Sequence, residues 1–218
     1  MKSRTDECYE TLKGILTRCE IKPGDRFTEK SLIEQTGFGR TPVREALARL
    51  TYDGLVETLP RSGYRATEVD SRTASDLIDI WRLIGPLVAR RGSERLTPPL
   101  LEELKTHAES LARENSSPQD SIDAADKVFR LLARASGSQD LMFLIDRLSG
   151  KLRRLYTLFL NTPAGREWSA TENRRWGDSS WLHDPEVAAA TVSLAIATWQ
   201  TGLTQIIGEG ADSDGHGS

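Results

Sequence analysis

Histidine and cysteine are scarce in this chain of 218 residues, which holds three of the first and two of the second. His107, His183 and His216 stand far apart, and no histidine lies near a cysteine at metal-ligand spacing. Cys8 and Cys19 form no CxxC pair and make no disulfide framework. They read as packing thiols, with a redox switch as the other reading. Long apolar runs are also missing: nothing approaches the roughly 20 residues of a membrane span. Met1 to Glu10 is polar, without an apolar signal core, so a cytoplasmic protein without a membrane partner is expected. The motifs GxxxxGK[ST], GxGxxG and GxSxG are absent, and neither an enzyme nor a bound cofactor is expected. A surplus of positive charge is lacking too. The net charge is −3; residues 1–70 hold 12 Lys+Arg against 12 Asp+Glu, and the rest hold 17 against 20. Any contact with nucleic acid must therefore come from locally arranged cations.

What the chain does have is helical periodicity, interrupted once. Residues 5–20 predict a helix with Tyr9, Leu12, Ile15 and Leu16 on one face. Pro23-Gly24 breaks the chain. A short helix follows, capped by Thr28 and stopped by Gly37, with Leu32 and Ile33 inward. The next helix has Thr41 as its predicted cap, Pro42 at its first position and Gly54 after its end. Its buried stripe is Val43, Ala46, Leu47 and Leu50. The period then changes to two. Leu55–Leu59 and Tyr64–Val69 flank Pro60-Arg61-Ser62-Gly63, a hairpin signal. Three helices followed by a hairpin is the order of a winged helix-turn-helix.

From Ala74 onward only helical patterns appear. One stripe is Leu77, Ile80, Trp81, Ile84, Leu87 and Val88, with Gly85-Pro86 as the expected kink. Leu100, Leu101, Leu104 and Leu111 make a second; Ile122, Ala125, Phe129 and Leu132 a third. A longer stripe runs from Leu141 to Phe159, and helices over Ala170–Trp181 and Pro185 to about Ile207 complete the set. The predicted fold class is mainly α, a winged helix-turn-helix (three helices plus a β-hairpin wing) followed by an all-α antiparallel helical bundle. The expected boundaries are 1–70, 71–207 and a polar tail, 208–218, with too little to bury and therefore disordered.

The candidate DNA-reading element is the third helix. Arg40, Thr41 and Arg44 lie at its N-terminal end, where base edges and phosphates are met. Arg44 is suited to fork onto a guanine. Arg49 and Lys30 suit backbone phosphates, and Arg61 and Gly63 belong to the wing tip. The competing reading is a solvated surface helix.

These residues carry a resemblance. Ile21-Lys-Pro-Gly-Asp25, Arg40-Thr-Pro-Val-Arg-Glu-Ala-Leu47, Leu50, Asp53-Gly-Leu-Val56 and Arg61-Ser-Gly-Tyr64 resemble the winged helix of the GntR family of transcriptional regulators. The resemblance implies a homodimer that binds double-stranded operator DNA, a repressor by family default. It carries DNA contact to Lys30, Arg40, Thr41, Arg44 and Gly63, and less firmly to Arg49. Residues 74–207 resemble the all-helical FCD domain of the FadR-type branch, with Arg82 at the family's arginine and Asp126-Lys-Val-Phe-Arg130 at its Asp-x-x-Phe-His. Many members hold a metal there with one Asp and three His. Asp126 keeps the first position, but the histidines fall on Arg130, Asn173 and Ala195. Arginine stays protonated and alanine has no donor, so no metal is expected; the other reading has His183 enter by a shift of register. Two readings of the vacated position stay open. In one, Arg130 and Arg82 bind an anionic effector directly, with Asp126, Asn173, Trp81 and Trp176 around it. In the other, Arg130 pairs internally with Asp126 across one helical turn, and the domain is only a dimerisation scaffold.

Overall fold

The computed structural model describes residues 3–111 and 117–213. The chain divides into two compact units, Met1–Val69 with Gly150–Leu155, and Asp70–Ser149 with Tyr156–Ser218.

The first unit opens with α1 (Arg4–Thr17), started by a reciprocal capping box between Ser3 and Asp6. It ends three residues before the sequence pattern suggests, because Cys19 adopts a left-handed backbone, φ 56°. Strand β1 (Arg26–Phe27) follows, then α2 (Glu29–Thr36), which has the expected Thr28 cap and Gly37 stop, φ 72°. Helix α3 spans Arg40–Tyr52. Here the expectation for Thr41 is corrected: the N-cap is Gly39, and Thr41 is already helical with no capping bond. Gly39 has the extended backbone that an N-cap needs, so the helix starts earlier.

The hairpin is present as β2 (Val56–Leu59) and β3 (Gly63–Ala66). The β1 strand, unforeseen, adds to it, giving an antiparallel sheet in the order β1-β3-β2 with Phe27 opposite Tyr64. Two residues are too few to show an alternation of two, which is why β1 leaves no sequence signal. One core holds the unit together. Leu12 and Leu16 of α1, Leu32 of α2, Val43, Leu47 and Leu50 of α3, and Leu55, Val56 and Ala66 of the sheet are all buried in it. Arg154 also belongs to this unit. It is 2% exposed and donates to the carbonyls of Leu55 (2.7 Å) and Thr67, closing backbone acceptors at the sheet edge.

The second unit is a helical bundle: α4 (Ser71–Ser93), α5 (Pro98–Leu111), α6 (Pro118–Ala135), α7 (Gln139–Leu160, except its residues Gly150–Leu155, which belong to the first unit), α8 (Pro163–Gly177), a 3-10 turn (Ser179–His183) and α9 (Pro185–Ser213). Side chains set its pairings. Arg90 with Glu186 and Arg82 with Gln200 make α4 and α9 antiparallel. Asp126 with Ser149 and Arg130 with Asp146 do the same for α6 and α7.

Several expectations shift here. The α4 stripe splits: Leu77, Trp81 and Val88 are buried, but Ile80 (44% exposed) and Leu87 (40%) face outward beside Leu83 (78%). Pro86 stands inside α4, which runs uninterrupted from Ser71 to Ser93. The helix expected over Ala170–Trp181 begins instead at Pro163, capped by Thr162, and ends before the 3-10 turn. Helix α9 runs to Ser213, past the end of the apolar pattern; residues 214–218 of the expected tail, and the side chain of Leu111, lie outside the described residues.

Candidate functional site

Helix α3 exists because Val43, Ala46, Leu47 and Leu50, spaced three and four apart, are each fully buried. That burial turns Arg40, Thr41 and Arg44 outward. The start of the helix is unusual for this chain. Helices α1, α2, α4, α6, α7 and α8 each begin on a Ser, Thr or Asp whose side chain accepts a backbone N–H. Helix α3 begins on Gly39, with no side-chain cap and no acidic residue in its first turn. No cap side chain or first-turn carboxylate meets its positive end and first N–H groups.

Neighbouring side chains prearrange the arginines. Glu29 lies 3.4 Å from Nε of Arg44 and accepts from the Tyr64 hydroxyl at 3.1 Å, tying α2, α3 and β3 together beneath the exposed guanidinium. Lys30 is exposed, with Glu34 3.8 Å away. Arg49 is held differently: it donates to Asp6 at 2.8 Å and lies 3.9 Å over the Tyr9 ring. The Ser3 and Arg49 hydrogen bonds hold the Asp6 carboxyl below its ordinary range. Arg49 thus fastens α3 to α1, a role its sequence position does not reveal. The wing tip carries Arg61, exposed in a left-handed conformation (φ 62°). At Gly63, φ is 88° and a Cβ would stand 2.7 Å from the Phe27 carbonyl oxygen. Glycine there is required by the close passage of β1, whatever else the wing touches.

In the second unit, Asp126 and Arg130 meet as the one-turn spacing suggests, Nε to Oδ2 at 2.9 Å. Two residues absent from the sequence reading complete the cluster. Arg130 also donates to Asp146 and to Ser149 (3.0 Å), and Ser149 donates to Asp126 at 2.5 Å. No local pattern marks Asp146 and Ser149, because they come from α7. Burial opposes the Arg130 cation, but Asp126 and Asp146 outweigh it and push its pKa above the ordinary arginine value. The donor set does not fit a metal. Asp126 is engaged through both oxygens, the next position carries a permanent cation, Asn173 donates to Ser121 (3.0 Å), and Ala195 has no ligand atom. Among the described residues no three His, Cys, Asp or Glu side chains gather for a metal.

The other candidates are dispersed. Arg82 is exposed and donates to Gln200 at 3.0 Å. Trp81 and Trp176 are buried, each edge-on to Phe129, with ring centroids 4.6 and 5.8 Å apart. Glu172, 3% exposed, accepts from Arg175 at 2.6 Å; burial pushes its carboxyl up and Arg175 offsets part of that. Burial also raises both cysteine thiols, which suits packing rather than thiolate chemistry.

The family model for bacterial regulatory proteins of the gntR family matches residues 4–65, and the model for the FCD domain matches residues 76–197. The chain belongs to the GntR family, in its FCD-bearing, FadR-type branch. The HTH-type transcriptional regulator McbR of Escherichia coli (strain K12) is 32% identical over 130 residues, 59% of each chain. The HTH-type transcriptional repressor RspR of the same organism is 25% identical over 151 residues, 68% of this chain and 66% of that one. The aligned stretches thus span less than two thirds of these curated relatives. The solved structure of E. coli McbR/YncC shares the fold, with a TM-score of 0.82 at 24% identity over 94% of this GntR-family chain and 99% of that one. No helix among the described residues is long and apolar enough to cross a membrane.

Proposed function

We propose that this protein is a cytoplasmic DNA-binding transcriptional regulator, acting as a repressor and as a homodimer on double-stranded operator DNA, and that it works by binding rather than catalysis. The observation that carries this reading is the open start of α3, with Arg40, Thr41 and Arg44 exposed around uncapped N–H groups. The repressor named among its relatives supports the sign of the effect. Arg40, Lys30 and the wing's Arg61 serve the phosphates, and Arg44 reads a base edge. In vitro selection on randomised duplexes, followed by fluorescence anisotropy, tests this. Arg44→Ala is expected to lose about 1–3 kcal/mol of discrimination between the selected site and its point variants. Unchanged discrimination would remove Arg44 from base reading.

For the helical domain the reading is a metal-free site for a small anion. Arg130 is one-third exposed, and its partner Asp146 is half exposed. An organic acid that replaced Asp146 on Arg130 would keep the guanidinium paired, as the metal-free chemistry requires. Coupling of that exchange to operator affinity is expected at ~1–3 kcal/mol. Thermal shift against a panel of small carboxylic acids checks it: Asp146→Asn should respond more strongly than the wild type, and Arg130→Ala not at all. A second reading, a dimerisation scaffold with a filled pocket, is favoured by the saturation of Arg130 by Asp126, Asp146 and Ser149. Silence of Asp146→Asn across the panel selects the scaffold.

A further inference from the structure

One face of the bundle exposes more apolar surface than its fold uses. On α4 it shows Ile80, Leu83 and Leu87, at 44, 78 and 40% exposure. On α4 these positions follow the three-and-four spacing that keeps residues on one side of a helix. A soluble chain seldom leaves a contiguous apolar stripe of this kind uncovered.

The charges along the same line of α4 indicate what covers it. Starting from Leu83 and moving seven residues in each direction, the helix reaches Asp76 and Arg90; eleven residues in each direction, it reaches Arg72 and Glu94. All four are exposed. Seven and eleven residues are close to two and three helical turns, so all four lie on the meridian of Leu83. Each pair has opposite signs, and the order reverses from one end to the other. Such a line is complementary to itself when a second copy runs antiparallel. Two-fold rotation about Leu83 sets Leu83 on Leu83, Asp76 on the other copy's Arg90, and Arg72 on its Glu94. A parallel pairing would instead place like charges opposite one another.

We propose that this exposed face of α4 is the homodimer interface of the helical domain, an isologous antiparallel contact of α4 with α4 whose two-fold axis passes through Leu83. The inference rests on the homodimer reading above and adds to it the surface and the register. Within one copy Arg90 already lies 3.1 Å from Glu186, so in the dimer it stands between two carboxylates and is held in place for its partner.

The full-length protein tests this by sedimentation velocity over a range of concentrations. The wild type is expected to dimerise. Leu83→Arg, at a position already exposed and so harmless to the fold, should weaken the dimer by at least about tenfold, since two cations would meet at the axis. Asp76→Arg and Arg90→Asp should each weaken it, and the two together should restore it, because the pair is exchanged and not removed. Leu83→Cys should form a disulfide between residues 83 of two copies under mild oxidation, identified by mass spectrometry of the linked peptide. Phe143→Cys, on the exposed side of α7, should not. A dimeric wild type whose Leu83→Arg stays dimeric, with no link through residue 83, overturns this interface and leaves the homodimer reading intact. A wild type that stays monomeric throughout overturns both.

Discussion

Glu172 shows how one buried residue makes stability depend on pH. Its carboxyl is pushed up from the ordinary value by burial, more than Arg175 pulls it down. In acid, below the ordinary carboxyl range, the group is neutral in the folded and unfolded chain alike and costs nothing. As pH rises, the unfolded chain releases the proton first, so the folded state is progressively penalised until its own raised pKa is passed. Glu172→Gln removes that penalty. Thermal melts should find the variant more stable than the wild type at pH 7, with the difference closing toward pH 4. A variant less stable at pH 7 would mean that the Arg175 pair contributes more than the burial costs. Arg130 is the contrasting case, a partly buried cation whose pKa rises because two carboxylates surround it. The sequence shows Asp126 one turn away; Asp146 and Ser149 are invisible in it, since they belong to another helix and meet Arg130 only through packing.

The wing and helix α3 depend on their connections. The sheet closes because β1 passes so near the turn that no side chain fits at residue 63. Gly63→Ala is therefore expected to cost at least about 1–2 kcal/mol for the left-handed backbone alone, with a further loss as the Phe27 carbonyl is displaced. Gly37 has φ of 72°, and a Cβ there would meet nothing within 4 Å, so Gly37→Ala should lose only the conformational part. Urea denaturation of the two variants compares them directly. Equal losses would show that the β1 carbonyl yields without cost. Helix α3 illustrates a related point: its buried stripe is plain in the sequence, yet its start is not, because Gly39 and Thr41 both suit the cap position and the local backbone chooses between them.

At the scale of the whole molecule, the proposed function asks an acidic chain to meet a polyanion. With a net charge of −3, long-range attraction is weak, and affinity must come from the few cations around α3 and the wing. If Lys30, Arg40 and Arg61 of two copies each neutralise a phosphate, the logarithm of affinity should fall with that of salt with a slope of about −5. Anisotropy titrations across salt concentrations measure it; a slope near zero would exclude phosphate contact by these three. The proposed dimer would act at the same scale, because two copies double the cation count without changing either monomer.

Much was determined by the sequence alone. The order of helices and wing, the buried stripe of α3, the exposed arginines, and the absence of histidines from the metal positions all follow from local spacing and residue chemistry. Caps and stops such as Thr28 and Gly37 act over one turn, so they too are legible. Tertiary structure decided what depends on distant segments: the β1 strand, the fastening of Arg49 to Asp6 and Tyr9, and the closing of Arg130 by Asp146 and Ser149. It also decided which side of α4 faces out. A helix as apolar as α4 can bury more than one side, and only the neighbours that arrive, α6 and α9, leave Leu83 uncovered.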